Sequence, residues 1–291
     1  MPNPTCPDWA EALLNGFSQI FLQRHPLCGL LCLLAILTCA PALLGGALLG
    51  GVAGLLTAQR RDYPKAERQA GLYSYNGVLL GLLISQHFAW SALLPPLILA
   101  CGGLSAILTR QWVKRTGHGD DLPAYTVPFV GLGWLLLGTV APAALPITTP
   151  APLDWLSAPL IGLGQIMLLD QALAGVLIAL GLLLASPRAA LWAVVGACSG
   201  LALGLLLDDR AGALLGLHSY NPALAALALS QYRRQPWLPL LGILLACLLA
   251  PGFAGLHLAP LTAPFILACW LVRATLRLRH RSNMDSPFES P

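Results

Sequence analysis

Apolar residues fill most of the chain in long stretches that are separated by proline, glycine and charged residues. A helix needs roughly 20 apolar residues to span a bilayer, and several of these stretches are shorter. Short segments interrupted by proline or glycine indicate broken or half-helices, which are tolerated where the backbone lines a protein-enclosed cavity. The pattern predicts ten spans, near residues 27–40, 42–58, 74–88, 90–109, 125–141, 172–186, 189–207, 219–231, 237–251 and 261–277.

The composition supports this interpretation. Of the 291 residues, 57% are hydrophobic and 10% are charged, and the mean hydropathy is +0.72. A soluble domain carries about 25% charged residues, so this chain lacks the polar residues needed to cover a water-facing surface. Ten spans leave no room for an extramembrane enzymatic or nucleic-acid-binding domain, and the cysteines show no metal-ligand spacing. We therefore predict an all-α integral membrane protein, embedded in a lipid bilayer, with no cofactor or metal and no nucleic-acid partner.

Residues 8–22 differ from the spans. Asp8 and Glu11 resemble a capping box, and apolar residues such as Leu13 and Phe17 recur at helical spacing behind them. This segment is expected to form a short helix that enters the membrane without crossing it.

The basic residues predict the orientation of the chain. With ten crossings, the two termini and the even-numbered loops share one side, and fifteen of the sixteen Lys and Arg residues lie there. Only Arg210 lies on the other side. Because basic residues concentrate in cytoplasmic loops, we predict a multi-pass protein of the cytoplasmic (inner) membrane with both termini in the cytoplasm.

Three segments of the first half recur in the second half in the same order. The pairs are GFSQIFLQRHPLCGL (16–30) with GLGQIMLLDQALAGV (162–176), GLYSYNGVLL (71–80) with GLHSYNPALA (216–225), and LPAYTVPF (122–129) with LAPLTAPF (258–265). Three collinear matches that each retain polar residues indicate an internal duplication.

The duplication predicts two inverted repeats, because five crossings per half insert the two copies in opposite orientations. Such repeats place a solute pathway at the interface between the copies. The predicted division is a first repeat at 1–141, a Pro-rich extracytoplasmic linker at 142–156, a second repeat at 157–281 and a disordered cytoplasmic tail at 282–291.

Thr126 and Thr262 are the first candidates for the pathway, because prolines flank both. Proline frees carbonyl groups from the helical ladder, and a nearby hydroxyl can both donate and accept hydrogen bonds. The alternative is that each threonine bonds back to its own helix. Pro128 and Pro264 are expected to support the local structure.

The other two repeated segments supply further polar and apolar pairs. Asn76 and Asn221 stand at presumed helix starts, where asparagine caps a helix, and solute contact is the alternative role. Leu79 and Leu224 follow three residues later and are candidate pore walls.

Glutamine and the charged residues define the polarity of the pathway. Gln19 and Gln165 lie on the apolar repeated segments, where a side-chain carbonyl can accept N–H groups from a neutral solute. Asp170 is the only candidate for a buried carboxylate, and it is expected near a membrane surface. A pathway with amides, hydroxyls and few charges favours a small neutral polar solute.

LPAYTVPF (122–129) resembles the signature LPxxTxPF of the urea transporters, a family shared by bacteria and animals. Its second copy departs from the signature by Ala259 in place of the first proline. GLYSYNGVLLGLL (71–83) and SYNPALAALALS (219–230) look like other characteristic stretches of the family. With the segment around Gln19 and its repeat, the resemblance covers nearly the whole chain.

The resemblance implies two inverted five-helix repeats, each with a re-entrant pore helix, enclosing one central pore per protomer of a homotrimer. Transport in the family is passive and channel-like, with urea as the substrate. By position, the resemblance assigns the threonines to a central constriction and the leucines to its apolar walls. The implied pore lining is Gln19, Leu22, Tyr75, Leu79, Thr126, Gln165, Leu168, Tyr220, Leu224 and Thr262.

Two departures affect the details. Gln165 stands where the second copy of the family often has glutamate, which makes that mouth less acidic. Tyr75 and Tyr220 stand at positions often held by phenylalanine, so each ring gains a hydroxyl.

Alternatives remain open at this level. A channel for short amides, ammonia or water would need the same pathway, and a proton-coupled urea carrier would add a buried titratable group. An intramembrane enzyme is disfavoured because no HExxH or GxSxG motif is present. A purely structural scaffold would leave the duplicated polar motifs without a purpose.

Overall fold

A computed structural model describes residues 8–116, 122–139 and 154–284, and within these ranges the chain forms fourteen α-helices. The first seven are α1 Asp8–Gln19, α2 Pro26–Cys39, α3 Pro41–Arg60, α4 Lys65–Gln69, α5 Tyr75–His87, α6 Leu94–Thr116 and α7 Val127–Leu137. The others are α8 Asp154–Gln165, α9 Ala172–Ala185, α10 Pro187–Leu206, α11 Arg210–Leu214, α12 Tyr220–Leu229, α13 Trp237–Gly255 and α14 Ala263–Met284. The all-α prediction is confirmed.

Each of the ten predicted spans corresponds to one of these helices. Proline marks several starts, as at Pro26, Pro41 and Pro187, where a helix does not use the missing N–H. Side chains complete two of these starts, since His25 accepts from the Cys28 N–H and Ser186 accepts from the Ala189 N–H.

Length and hydropathy separate eight of the ten spans into two groups. Three helices, α3, α6 and α10, are long and apolar enough to cross a membrane. Five shorter apolar helices are α2, α7, α9, α12 and residues 237–253 of α13. A helix of 14 residues such as α2 is only about 21 Å long at 1.5 Å per residue, against a hydrocarbon core of about 30 Å. The short helices therefore need stretches of non-helical backbone at their ends to complete a crossing.

The helices of residues 154–284 follow the same order as those of residues 8–137. Helices α2 and α9 both have 14 residues, α3 and α10 both have 20, and α4 and α11 both have 5. The left-handed backbone positions also recur in pairs: Leu22 with Leu168, Asp62 with Asp208, Gly71 with Gly216, and Tyr125 with Leu261. The duplication seen in the sequence thus extends to the turns between helices.

Glycine allows the helices within each half to approach closely. A Cβ atom at Gly50 of α3 would lie 2.0 Å from the carbonyl oxygen of Gly77 in α5. In the second half, a Cβ at Gly196 of α10 would lie 2.6 Å from the carbonyl oxygen of Pro222 in α12. Small residues at such crossings let helix backbones pack directly on each other, as is common in membrane proteins.

One hydrophobic core joins the two halves. It includes Phe17 of α1, Ile36 of α2 and Leu79 of α5 together with Leu224 of α12 and Phe265 of α14. Helix α2 packs against α9, so equivalent helices of the two halves meet.

Some predicted boundaries are corrected. Helix α8 begins at Asp154, inside the range 142–156 assigned to the linker, because the apolar pattern starts there and an acidic residue suits the first turn. Helix α14 continues to Met284, beyond the predicted end of the second repeat at 281. Helices α4 and α11 were not predicted, because five residues are too few to show a periodic pattern. The remainder of the linker, 142–153, and of the tail, 285–291, lies outside the described residues.

Candidate functional site

Thr126 and Thr262 meet at the junction of the two halves. Their Oγ1 atoms lie 2.6 Å apart, and either hydroxyl can be the donor. Both side chains are buried, at 4% exposure. Each threonine directly precedes a helix, α7 or α14, and follows a residue in the left-handed conformation, Tyr125 or Leu261. The reversal of the backbone at these residues brings the N-termini of α7 and α14 together.

The N-terminus of each of these helices is capped by an asparagine from another helix. Oδ1 of Asn76 in α5 accepts from the backbone N–H of Phe129 at 3.2 Å. Oδ1 of Asn221 in α12 accepts from Phe265 at the same distance. Both N–H groups belong to the third residue of their helix, which has no partner within the helix. The sequence predicted caps on α5 and α12 themselves, whereas these amides cap α7 and α14.

The amide nitrogens of the same asparagines differ in their partners. Nδ2 of Asn76 donates to Thr109 Oγ1 of α6 at 3.3 Å. Nδ2 of Asn221 donates to the carbonyl oxygen of Leu261 at 3.0 Å. Both asparagines are nearly fully buried, so these bonds satisfy groups that would otherwise be costly to remove from water.

The tyrosines and leucines belong to the core cluster that joins the two halves. Tyr75 and Tyr220 are the first residues of α5 and α12, and both are buried. The Tyr75 hydroxyl donates to the carbonyl oxygen of the residue before Thr126. Leu79 and Leu224 follow about one helical turn later and are each 1% exposed.

Pro128 and Pro264 occupy the second position of α7 and α14. A proline there sacrifices no intrahelical hydrogen bond, because the first N–H groups of a helix lack partners in any case. The prolines are therefore compatible with a sharp start of both helices at the threonines.

The glutamines end the first helix of each half. Gln19 and Gln165 are the last residues of α1 and α8, and both are half-buried. Nε2 of Gln165 donates to the carbonyl oxygen of Leu215 at 3.0 Å. Leu22 and Leu168 form the turns that follow, with φ of 57° and 59°. Such a conformation is unfavourable for leucine by about 1–2 kcal/mol, so packing around the turns must hold it.

A cavity of about 410 Å³ adjoins one of these turns. Leu22 lines it from the first half, and Ser230 and Gln231 line it from the end of α12. Its charged lining residues are Arg188 and Arg233. Both arginines belong to the loops that the sequence assigns to the cytoplasmic side.

Two matched pairs were missed in the sequence. The hydroxyls of Ser74 and Ser219 are buried and have no hydrogen-bond partner among the described residues. Each serine packs on a glycine of the first helix of its half: a Cβ at Gly16 or Gly162 would lie 2.6 or 2.3 Å from the serine Cβ. The signal was present, because all four residues are identical between the repeated segments.

The polar side chains beside the threonine pair carry no charge. Among the described residues, the buried polar side chains other than tyrosine and cysteine are asparagine, serine and threonine. The fold and this centre define a helical membrane protein in which uncharged polar groups of two similar sets of helices meet inside the apolar core.

The comparisons place this protein in a family. Residues 10–277 match the model of the urea transporter family. The chain is 28% identical over 302 residues to urea transporter 1 of Ovis aries, covering 92% of this chain and 77% of that protein. It is 29% identical over 283 residues to urea transporter 1 of Mus musculus, covering 88% of this chain and 71% of that protein. The chain belongs to the urea transporter family, which confirms the resemblance found in its motifs; it is a transporter and not an enzyme.

Proposed function

We propose that this protein is a channel that lets urea pass the cytoplasmic membrane down its concentration gradient. The observation that carries the proposal is the 2.6 Å contact between Thr126 and Thr262, one from each copy of the signature segment, inside the core of a urea transporter family member. This contact joins the two halves, and it is the proposed constriction.

The proposed pore follows the axis between two inverted repeats. The recurring helix order and the paired left-handed turns support the duplication, and the odd number of predicted crossings per half supports the inversion. From the family resemblance we carry over a homotrimer with one pore in each protomer.

Urea suits the groups at this point. The solute is planar and neutral, with four N–H donors and one carbonyl acceptor. A urea molecule entering between the threonines replaces their mutual hydrogen bond, and each hydroxyl oxygen then accepts an N–H group. The N-termini of α7 and α14 converge there, and their positive dipole ends favour the urea oxygen.

The other proposed lining residues extend the path in both directions. Leu79, Leu224 and the rings of Tyr75 and Tyr220 form apolar walls that admit a flat molecule but offer an ion no replacement for its hydration. Gln19 and Gln165 supply amide acceptors further out. On the predicted cytoplasmic side, the cavity beside Leu22 forms the mouth, and its two arginines repel ammonium ions.

The uncharged core supports transport without ion coupling. A proton-coupled carrier needs a titratable group that the pathway protonates and releases. The polar side chains of the proposed pore lining are hydroxyls and amides, which do not titrate in the physiological range. A passive conduit is therefore favoured over a carrier.

Stopped-flow urea efflux from proteoliposomes, without an ion gradient, tests the proposal. Wild-type protein should release urea much faster than empty liposomes. Thr126→Val and Thr262→Val keep the side-chain shape but remove the acceptor oxygen, and we expect each to lower flux, with a stronger loss in the double variant.

Thr38→Val is the matched control. Thr38 lies on α2, is exposed, and bonds back to the carbonyl oxygen of Leu34 of its own helix at 2.8 Å. Its variant should transport urea like wild type. Folded wild-type protein that transports no faster than empty liposomes would refute urea conduction, and full flux in both pore variants would refute the constriction.

A further inference from the structure

Two tryptophans make reciprocal contacts across the two halves. Nε1 of Trp134 in α7 donates to the carbonyl oxygen of Ala259 at 2.8 Å. Nε1 of Trp270 in α14 donates to the carbonyl oxygen of Pro123 at 2.9 Å. Trp134 lies eight residues after Thr126, and Trp270 lies eight residues after Thr262. Ala259 and Pro123 each lie three residues before a threonine, so the two bonds are equivalent by the repeat.

Each tryptophan also packs against an aromatic ring of a helix in the other half. Trp270 stacks on Trp112 of α6, with ring centroids 5.2 Å apart and an interplanar angle of 13°. Trp134 packs on Phe253 of α13 at 6.1 Å and 33°. Trp112 adds a second hydrogen bond, from its Nε1 to the carbonyl oxygen of Leu122 at 2.8 Å. The hydrogen bonds and the ring packing therefore hold both indole rings in one orientation.

The two bonds close rings that contain the threonine contact. From Thr126 the chain runs along α7 to Trp134, crosses to Ala259, continues to Thr262 and returns to Thr126 through the hydroxyl contact. The second ring runs along α14 to Trp270 and crosses to Pro123. Because each helix is rigid, the length of each ring limits how far the two threonines can separate.

We propose that Trp134 and Trp270 are positioning residues that set the width of the Thr126–Thr262 constriction and so determine which solutes pass. This inference rests on the proposed function. Both closed paths let the threonines separate by the thickness of one urea molecule. The extra width needed by an N-alkylated urea strains the two indole hydrogen bonds. Neither tryptophan touches the solute; both act through the backbone that carries the threonines.

The test compares urea with N-methylurea by stopped-flow efflux for Trp134→Phe and Trp270→Phe. Each variant keeps an aromatic ring and removes only the N–H donor and part of the ring area. We expect the ratio of N-methylurea flux to urea flux to rise about fivefold in each variant, which corresponds to the loss of one hydrogen bond of about 1 kcal/mol. The double variant should show a larger rise.

Trp192→Phe is the matched control, because Trp192 packs against Ala226 and its neighbours, in a cluster separate from the one that Trp134 and Trp270 pack against. Its flux ratio should equal that of wild type. A purely structural role of Trp134 and Trp270 would lower both fluxes together and leave the ratio unchanged, which overturns the inference. Each single variant, checked for folding by size-exclusion chromatography, gives an independent result. Absence of wild-type urea flux would instead refute the proposed function, so the two failures are distinguishable.

Discussion

The turn after α3 and the turn after α10 follow the same backbone course but are held by different chemistry. In the first, the Tyr73 hydroxyl donates to the Glu67 carboxylate, and Arg110 of α6 lies 3.2 Å from the same oxygen. Arg110 also lies 5.6 Å from the centroid of the Tyr63 ring. This cluster ties the first turn to a neighbouring helix.

The second turn is stabilised by hydrogen bonds among its own residues. Nε2 of His218 lies 2.7 Å from Oδ2 of Asp209, and Oδ1 of Asp209 accepts from the Gly212 N–H at 3.0 Å. His218 takes the place of Tyr73 in the repeat, and Asp209 takes that of Tyr63. The two halves therefore use the same side chains for the asparagine caps and the threonine contact. They use different side chains to hold the turns outside the core. Equivalent backbone geometry needs only the left-handed residues and close helix packing, which leaves the side chains of the turns free to diverge.

The largest effect is expected at the shared centre. Asn76→Leu and Asn221→Leu each leave a buried backbone N–H of α7 or α14 without an acceptor. Each variant should lower the free energy of unfolding by about 1–3 kcal/mol, measured by thermal or denaturant unfolding in detergent. Urea flux should fall in both, because the helix starts carry the threonines. An effect in one half only would show that the centre is not equivalent in the two halves.

A smaller effect should distinguish the turns. Arg110→Met leaves the Glu67 carboxylate, whose side chain is 15% exposed, with a weaker set of partners. We expect a loss of roughly 0.5–1.5 kcal/mol in unfolding free energy, the net contribution of one hydrogen bond. His218→Gln, beside a carboxylate that is 51% exposed, should lose only about 0–1 kcal/mol. Equal losses in the two variants would contradict the distinction between a turn tied to α6 and a self-contained turn.

The smallest effect is the pH dependence of the second turn. The hydrogen bond from His218 and that from the Gly212 N–H lower the pKa of Asp209 below its ordinary value of 3.8. A carboxylate with a lowered pKa contributes stability that is complete above the unfolded pKa and is lost as the pH falls through the folded pKa. The contribution should therefore be complete at pH 7 and begin to be lost as the pH falls below about 4.

Thermal unfolding of wild type and Asp209→Asn between pH 7 and pH 3 measures this contribution. The difference in melting temperature should be small but present at pH 7 and should shrink toward the acidic end, because a protonated carboxyl and the amide carry the same charge. A difference that stays constant over this range would show that Asp209 acts only as a neutral helix cap.

The sequence by itself determined the family, the positions of the apolar helices and the duplicated polar motifs. Thr126 and Thr262 stand out because composition restricts polar residues in membrane spans, and proline marks the helix starts beside them. The short helix α1 followed from local periodicity in the same way. These features are readable because each depends on residues close together in the chain.

Only the tertiary structure decided which groups meet. The asparagine caps join residues 53 and 44 apart, the threonine contact spans 136, and the tryptophan bonds span 125 and 147. The local sequence pattern does not predict which distant carbonyl an indole N–H will bond, or which distant N–H an amide oxygen will accept from. The left-handed turns at Leu22 and Leu168 are equally hidden, because leucine adopts that backbone only when packing from other helices outweighs its strain. The duplicated sequence supplies the polar groups. The packing of helices within each half and between the halves decides which of these groups form hydrogen bonds.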